Sequence, residues 1–522
     1  KLKANLFLLQ KCVYNKGMNF KRNLIVITSA LVGALALTGC DLNGNGGFKH
    51  FEFIEEMEDK HEAFVKEGYS AIGDYDTFKV VTSKGELVDM GTSYQVFRDY
   101  GGASHIPSTG KQKMIVVPVE FSDYKTEKLN LTHEQYINNI NKAFFGVSSQ
   151  NAYVSVGEYF NRSSYGKLQL DGMVCDKVYT FPLSLKDIKE RKLKRDSLAT
   201  DYYKKVVSWL KENYKDIDSY QVEGLKTGKN IPIFMVYTYP GQTSKGVNDE
   251  FFWAYSFSDV PLSWASSSFM NLNYGDPDAH TYIHEVGHLF GLQDYYPTTQ
   301  LEEGKITPEP TARIDMMDCS IGDETSFSKM MLNWTRPYYV KGSCEFEIRS
   351  FTEYGDVFLL SKEWNKTVFD EYYLLEFYTP TRLNTYDVSV GNSEAKLPTF
   401  PGIKIYHVDA RLGYITNQKI VTQYCVNGAG IPTSNNIGFA HDNNTYENPN
   451  RFQENYLYSL VLNNSEKLPS ECATNENLFR AGDSIRDLKL NAGGSLNFKI
   501  TVLELGYRKA RIKIEKYLES AI

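Results

Sequence analysis

The segment HEVGHLFGLQD, residues 284 to 294, constrains the fold more than any other part of this chain. His284 and His288 are four residues apart, so on a helix they project from the same face, one turn apart. Two imidazoles at this spacing can bind one ion at zinc–nitrogen distances of about 2.1 Å. Glu285 lies beside them, where it can reach a metal-held water molecule and act as general base. The segment therefore predicts a buried helix that carries a zinc site.

The residues after this helix extend the prediction. Gly291 lies where the helix should end, and glycine can adopt the left-handed conformation that reverses a chain. Asp294 could then return as the third ligand and leave a fourth position for water, as a catalytic zinc requires. His280 lies about 12 Å from His288 along the axis, so one ion cannot bind both. We expect His280 to be a polar residue at the helix start or to support a ligand.

Two alternatives to this ligand set remain open. A distant glutamate could replace Asp294 as third ligand, and Glu302, Glu303 and Glu309 follow in the chain, although no helical motif surrounds them. The two histidines could also be a buried, hydrogen-bonded pair without a metal. That second alternative would not require Glu285 and the Gly-x-x-Asp extension together.

The N-terminal residues have the pattern of an export signal. From Met18, Lys21 and Arg22 precede an apolar run over residues 24 to 37, and the run ends in Leu-Thr-Gly-Cys40. The run is short for a transmembrane helix and has the charged-then-apolar order of a secretion signal. Its ending resembles a bacterial lipobox, which implies that Cys40 becomes the lipidated mature N-terminus. We expect an exported bacterial lipoprotein, held at the outer face of the cell membrane or extracellular. A plain signal peptide or anchor with an incidental cysteine is the alternative.

Strand and helix patterns divide the rest of the chain into three parts. Residues 40 to 110 read as a Gly/Asn-rich tether and an N-terminal segment, helical from His50 to about Lys66, which is either a pro-region or a wrap around the main domain. Buried-strand patterns such as KMIVVPVEF and IPIFMVYTY alternate with helices over residues 111 to 337, which predicts an α/β catalytic domain. Short strand patterns over residues 338 to 522 predict a β-rich, sandwich-like C-terminal domain. Residues 1 to 39 are the upstream extension and signal peptide.

Charge and cysteine content exclude some classes of partner and scaffold. The net charge is −7, and no Lys/Arg stripe appears beyond the N-terminus, so nothing indicates nucleic-acid binding. The cysteines after Cys40 are sparse, odd in number and without a C-x-x-C pair, so at most two disulfides can form. They are Cys175, Cys319, Cys344, Cys425 and Cys472.

The sequence offers candidates for two further metal sites. Calcium suits an exported acidic peptidase, and Asp123, Asp276 and Asp278 lie in loop-like stretches, but no EF-hand loop identifies a site. His407 and Asp409 share one face of a strand, where they could bind a metal or make structural hydrogen bonds.

A downstream segment adds a resemblance to a known family. ARIDMMDCSIGDETSFSKMMLNW places an Asp-x-Met-Asp turn, with Met317, after His-Glu-x-x-His-x-x-Gly-x-x-Asp. Together the motifs resemble the immune inhibitor A family of secreted bacterial metallopeptidases, in the metzincin group. Segments between about residues 110 and 505 are similar as well: VVPVEFSDY, EYFNRSSYGKL, YYLLEFYTPTRLN, PGIKIYHVDARL and LFRAGDS. The resemblance implies that His284, His288 and Asp294 bind zinc, that Glu285 is the catalytic base, and that Met317 lies beneath the metal.

The chain departs from the wider metzincin pattern at two places. Metzincins more commonly use histidine as third ligand, so Asp294 depends on the narrower family match. Astacin-like relatives place an oxyanion-supporting tyrosine two residues after the turn methionine, and here that position is Cys319. Tyr295 or Tyr296 could replace it, or both tyrosines could pack against the sheet.

These expectations define a function and its competitor. We expect a membrane-anchored zinc endopeptidase that hydrolyses proteins or peptides by a metal-activated water. The stretch SSSFMNLNYG, residues 266 to 275, is predicted to be a strand that pairs with an extended substrate. The alternative is a surface lipoprotein that acts as a binding protein or adhesin with an inactive peptidase-like domain.

Overall fold

The computed structural model describes most of the chain after the predicted signal and tether. Cys40 and the signal peptide lie outside the described residues. The described residues are 48–57, 65–81, 85–90, 104–224, 228–240, 242–243, 247–248, 250–271, 275–297, 308–391, 395–416, 421–429, 436–444, 455–465 and 468–517.

Helices and strands alternate through the first half of the described chain, and strands dominate the second half. The helices are α1 (His133–Phe145), α2 (Val156–Ser163), α3 (Leu185–Glu190), α4 (Ala199–Asn213), α5 (His280–Leu289), α6 (Met316–Cys319), α7 (Ser326–Met331), α8 (Phe351–Tyr354) and α9 (Thr385–Ser389). The strands are β1 (Val65–Lys66), β2 (Tyr69–Ala71), β3 (Lys79–Val81), β4 (Leu87–Asp89), β5 (Gly110–Glu120), β6 (Leu168–Val174), β7 (Tyr179–Thr180), β8 (Val222–Gly224), β9 (Gly228–Asn230), β10 (Ile233–Tyr237), β11 (Gln242–Thr243), β12 (Val247–Asn248), β13 (Tyr255–Ser256), β14 (Leu262–Ser266), β15 (Tyr338–Val340), β16 (Cys344–Arg349), β17 (Val357–Leu360), β18 (Glu371–Tyr378), β19 (Gly402–Asp409), β20 (Leu412–Ile415), β21 (Val421–Tyr424), β22 (Asn436–Phe439), β23 (Tyr458–Val461), β24 (Ser484–Lys489), β25 (Ser495–Leu505) and β26 (Lys509–Lys516).

A largely parallel sheet forms the centre of the first half. Its strand order is β13-β14-β10-β5-β6, and β7 also pairs with β5. β14, β10, β5 and β6 are parallel to their neighbours, whereas β13 is antiparallel to β14 and forms one edge. The apolar runs predicted as buried strands are β5 and β10. Their continuous apolar sequence fits a parallel sheet, which is covered on both faces.

Alternation along β5 divides its side chains between two hydrophobic cores. Met114 and Val116 face the core that contains α1, α2 and α5, while Ile115 and Val117 face the core that contains α3 and α4. Helices therefore cover both faces of this sheet.

A second sheet closes the core that contains α5. Its order is β1-β2-β15-β17-β18-β19-β23. One face places Leu359 and Leu374 in the core of α5, and the opposite face places Phe358 and Leu375 in a third core. The four-stranded sheet β16-β26-β25-β24 contributes the other side chains of that third core. Strands of the two sheets thus pack through a shared apolar layer.

The helix predicted in the N-terminal segment is not found in its described residues. Residues 50 to 57 contain no helix, and Val65–Lys66 is a strand; residues 58 to 64 lie outside the described residues. The backbone N–H groups of this segment donate to neighbouring elements instead of to each other. Phe51 N–H donates to Phe145 O, and Ile54 N–H donates to the Asn161 side chain. Long-range contacts override the local helical tendency of this charged stretch.

The mixed α/β character predicted from the sequence is confirmed. Short strands are predicted over residues 338 to 522, and β18, β19, β25 and β26 are found there. The proposed division after residue 337 stays a prediction, and side chains from both sides of it, such as Phe290 and Leu374, share one core. Within the described part of the chain, no helix has the length and apolarity needed to cross a membrane.

Candidate metal centre

The predicted motif helix is α5, and it ends where the sequence indicates. Ile283, Val286 and Leu289 bury one side of it in the core. Gly291 adopts φ of 100°, a left-handed conformation that costs a residue without Cβ little. This reversal brings Asp294 back to the helix that it follows.

Backbone carbonyls orient both motif imidazoles. The Nδ1 of His284 lies 2.8 Å from Met316 O, and the Nδ1 of His288 lies 2.8 Å from Leu292 O. A carbonyl can only accept, so each Nδ1 carries the proton and donates it. In a neutral imidazole this leaves the Nε2 lone pair available, which is the tautomer that a metal needs.

Both Nε2 atoms point at the same carboxylate. Asp294 Oδ1 lies 3.0 Å from His284 Nε2 and 3.3 Å from His288 Nε2. One ligand atom from each residue lies within 4.8 Å of the others. Among the described residues, this is the only group of three or more His, Cys, Asp or Glu side chains that converges in this way. Two imidazole nitrogens and one carboxylate oxygen are a donor set that suits zinc and leaves an open position.

The charges of the group are strongly coupled. Burial lowers the pKa of His288, but Asp294 outweighs burial and raises that pKa to about 9. The pKa of His284 is also raised, since its hydrogen bond to Asp294 overcomes the effect of burial. Burial acts to raise the pKa of Asp294, yet the two imidazoles hold it well below the usual range. The carboxylate of Asp294 therefore favours positive charge on the imidazoles, and the imidazoles favour negative charge on Asp294.

Glu285 is buried next to this group and is held by a serine of the edge strand β13. Ser256 Oγ lies 3.2 Å from Glu285 Oε2 and 2.6 Å from Glu285 O. Burial raises the pKa of Glu285, and the neighbouring imidazoles act in the opposite direction. Sequence patterns did not identify Ser256, because a two-residue strand has no recognisable periodicity.

The turn that contains Met317 lies against α5. Asp315 Oδ1 accepts from Met317 N–H at 2.7 Å, which caps α6. A Cβ added at Gly287 would lie 2.6 Å from Met317 Sδ, so the methionine packs closely on the helix between the two histidines. Tyr295 N–H donates to Met317 O, which ties the chain after Asp294 to the same turn. The turn thus supports both ends of the ligand set.

His280 has a separate role at the start of α5. Its Nδ1 contacts Asp278 Oδ1, and its Nε2 lies 3.2 Å from Asp387 Oδ2 on α9. Burial lowers the pKa of His280, but Asp278 and Asp387 together raise it to about 10. His280 is therefore the helix-start polar residue that its position predicts.

The two candidate tyrosines are in different surroundings. Tyr295 is fully buried, with its hydroxyl 3.0 Å from Ser328 Oγ, and packs in the core. Tyr296 is half-buried, and its ring centre lies 6.5 Å from that of His284. Burial, then the charges of Asp294 and Glu285, raises the pKa of Tyr296. Of the two, Tyr296 is the one beside the ligand candidates. Cys319 lies at the end of α6 and forms no disulfide.

Of the alternative third ligands, Glu309 is the one that lies among the described residues, and it does not join the group. Glu309 pairs with Arg313 Nη2 at 2.7 Å instead. Glu302 and Glu303 lie outside the described residues.

His407 and Asp409 make structural contacts rather than a metal group. His407 Nε2 lies 2.8 Å from Glu371 Oε1, and the His407 ring stacks on Tyr373. Asp409 accepts two hydrogen bonds of 2.7 Å from Arg411. We refer to Glu371, His407, Asp409, Arg411 and His441 as the C-terminal polar cluster.

The aspartates considered for calcium are also separate. Asp123 accepts from the backbone N–H groups of Leu185 and Lys186 at the start of α3, Asp278 contacts His280, and Asp276 is exposed. None of the five cysteines from Cys175 to Cys472 forms a disulfide, so the bridges that the sequence allowed are not made.

The strand predicted to pair with substrate is wrong. Residues 266 to 275 were predicted as a strand, but Ser267–Met270 is a 3-10 turn, and residues 272 to 274 lie outside the described residues. Ser266 Oγ accepts from Ser268 N–H, a local hydrogen bond that competes with strand pairing. The sheet edge beside the metal group is β13, whose Ser256 contacts Glu285.

No protein-family model and no curated protein matches this chain.

Proposed function

We propose that this protein is a zinc-dependent endopeptidase. One observation carries the proposal: the Nε2 atoms of His284 and His288 converge on Asp294, while both Nδ1 atoms are fixed by backbone carbonyls. Structural histidine pairs have no need of this double orientation. Burying these charged groups together costs free energy, and a bound cation would offset that cost.

The proposed ligands are His284, His288 and Asp294, and Glu285 is the proposed general base. When bound there, zinc supplies Lewis acidity that polarises a carbonyl and lowers the pKa of a water molecule. Glu285 takes a proton from the attacking water and passes it to the leaving amine. Its burial supports this role, since a raised pKa brings a carboxylate closer to the range where it exchanges protons near neutral pH.

The neighbourhood of Glu285 supports a peptide substrate. β13 is an edge strand, and an extended peptide can pair with such an edge through backbone hydrogen bonds. Tyr296, whose ring centre lies 6.5 Å from that of His284, would stabilise negative charge on a reacting carbonyl oxygen. It would fill the role that Cys319 cannot.

The finer classification is part of the same proposal. The packing of Met317 on Gly287 supports a metzincin-like catalytic domain and the resemblance to the immune inhibitor A family. The lipobox-like ending supports export and attachment to the membrane through Cys40. Calcium has no proposed site.

Glu285→Gln tests the mechanism most directly. The amide cannot accept a proton but keeps the size of the side chain, so casein hydrolysis should fall by about 10²- to 10⁴-fold. Zinc content, measured by atomic absorption, should be unchanged. Glu309→Gln is the matched control, because its carboxylate pairs with Arg313, and it should retain hydrolysis.

Two results would contradict the proposal. One is full hydrolysis by a zinc-loaded Glu285→Gln protein. The other is a zinc-loaded wild-type protein that cleaves neither casein nor any member of a peptide library, a result that would favour the binding-protein alternative.

A further inference from the structure

Residues 104 to 106, which precede β5, contact the C-terminal end of α5. His105 N–H and Ile106 N–H donate to Leu289 O at 2.8 Å and 3.0 Å. Ser104 Oγ donates to Phe290 O at 3.1 Å. The last carbonyls of a helix have no partner within it, so these donors cap the C-terminal end of α5. We call residues 104 to 106 the capping segment.

The same segment reaches the edge strand beside Glu285. His105 Nε2 lies 3.3 Å from Phe257 O, the residue that follows β13. Burial lowers the pKa of His105 to about 4, so the ring is neutral at physiological pH and donates from Nε2. Asn230 Nδ2 lies 3.3 Å from His105 O on the other side. The capping segment therefore joins the end of α5 to the strand that holds Glu285 through Ser256.

The capped carbonyls lie between the proposed ligands. Leu289 follows His288, and Phe290 precedes Gly291, where the chain reverses and brings Asp294 back to α5. A shift of this reversal would move Asp294 relative to His288 while leaving each side chain intact. Ligand geometry is sensitive to such support, since groups that orient metal ligands affect metal affinity.

We propose that Ser104, His105 and Ile106 are positioning residues of the metal centre, and that the N-terminal segment which carries them remains part of the working protein. The proposal rests on the proposed function, because it gives these residues a role in that site. Other contacts of the segment agree with it. β2 lies inside the seven-stranded sheet, between β1 and β15, and Phe51 is buried in the core of α5. Removal of residues 40 to 110 as a pro-region would uncover that core and remove the cap.

Ser104→Ala and Ser108→Ala make a matched pair for the test. Both serines are buried, and each donates Oγ to a carbonyl at the end of a helix: Ser104 to Phe290 O after α5, and Ser108 to Leu332 O after α7. Each substitution removes one hydroxyl and should lower thermal stability to a similar extent. Only Ser104→Ala should weaken zinc binding, by about threefold to tenfold, the factor that one net hydrogen bond gives. Ser104→Thr keeps the hydroxyl and should restore the affinity.

Zinc affinity from competition with a chelator and the visible spectrum of the cobalt-loaded full chain report on the ligands without requiring hydrolysis. We expect the cobalt spectrum to change in Ser104→Ala and to match wild type in Ser108→Ala. Mass spectrometry of the active protein should find residues 104 to 110 still present. Equal zinc affinities in the two alanine variants, or an active form that begins after residue 110, would overturn the proposal. If the wild-type protein binds no zinc, the proposed function itself fails, which is a different result.

Discussion

Two regions of this protein combine histidines with aspartate, yet they are organised in opposite ways. In the metal centre, two imidazoles meet one carboxylate, and Asp294 is the shared partner of both. In the C-terminal polar cluster, Asp409 is matched by Arg411 and by His441 Nε2 at 3.1 Å, and Asn491 Nδ2 adds a hydrogen bond of 2.9 Å. Glu371 accepts from His407 and from the backbone N–H of Ala492.

The difference lies in what balances the negative charge. In the C-terminal polar cluster, a guanidinium supplies a permanent positive charge and fixed hydrogen bonds, so the carboxylates need no metal. At the metal centre, the described ion-pair partners of Asp294 are the two imidazoles, which can lose a proton and become ligands. In this chain, a neighbouring arginine therefore distinguishes the His/Asp pair whose charge is already balanced from the pair that is proposed to bind a metal. Arg411, two residues after Asp409, is a sequence signal that separates the two cases.

The strongest way to break this comparison is to remove one imidazole from each region. His288→Ala deletes a proposed ligand, so we expect loss of stoichiometric zinc and of hydrolysis, by at least about 10³-fold. His407→Ala removes a hydrogen bond to Glu371 and should leave zinc content unchanged. Equilibrium dialysis with zinc and a casein assay measure both effects. Stoichiometric zinc binding that survives His288→Ala would contradict the role of His288 as a ligand.

Exchange of the two aspartates for asparagine separates metal binding from stability. Asp294→Asn replaces an anionic ligand by a neutral amide, and zinc affinity should fall by about 10- to 100-fold. Asp409→Asn leaves Arg411 without its bidentate partner in a buried site and should cost about 3 kcal/mol of the free energy of unfolding. Its zinc affinity should not change. Chelator competition and urea unfolding distinguish the outcomes, and a loss of zinc in Asp409→Asn would contradict the assignment of the cluster as structural.

Local patterns explain how much of the metal centre the sequence predicts. The apolar periodicity of residues 283 to 289 and the conformational freedom of Gly291 are properties of a short segment, so α5 and its end were predicted correctly. The partner of His284 is Met316 O, 32 residues further along the chain. No local pattern encodes that contact.

The errors in the fold have the same origin. The stretch after His50 has helical character, but its donors bind Phe145 and Asn161, whose positions depend on the assembled fold. Ser256 lies on a strand of two residues that exists only through its pairing with β14. The sequence of residues 266 to 275 is strand-like, but the Ser266 hydroxyl accepts from Ser268 N–H and favours a turn there. In each case, contacts distant in sequence or hydrogen bonds of side chains override the propensity.

The pH dependence of stability should distinguish the two regions in the metal-free protein. Asp294 raises the pKa of His288 in the folded state to about 9, above its ordinary value of 6.5. The stabilisation that this gives is complete below pH 6.5 and is lost as pH rises through 9, on the order of 1–3 kcal/mol. Arg411 keeps its proton throughout, so the pairing of Asp409 persists. Urea unfolding at pH 6.5 and pH 9, in the presence of a chelator, should show this loss in the wild type and in Asp409→Asn but not in Asp294→Asn.

Zinc should reverse the sign of that dependence. The metal binds imidazoles that have lost their ionising proton, so its stabilisation grows as pH rises. The zinc-loaded wild type should therefore gain stability between pH 6.5 and pH 8, where the metal-free protein loses it. The same slope with and without zinc would mean that the imidazoles are not ligands.

The smallest expected effect concerns the tyrosines of the two regions. Tyr296→Phe removes a hydroxyl beside Asp294 and Glu285, and the turnover number should fall by about tenfold because one donor to the reacting oxygen is lost. Zinc affinity should stay within about threefold of wild type. Tyr424→Phe is the matched control, since its hydroxyl lies 3.0 Å from His441 Nε2 in the C-terminal polar cluster. Steady-state kinetics on a fluorogenic peptide should show the loss in Tyr296→Phe alone, in the turnover number rather than in KM. Equal kinetics of the two variants would leave Tyr296 as a packing residue and return the question of oxyanion support to other groups beside the ligands.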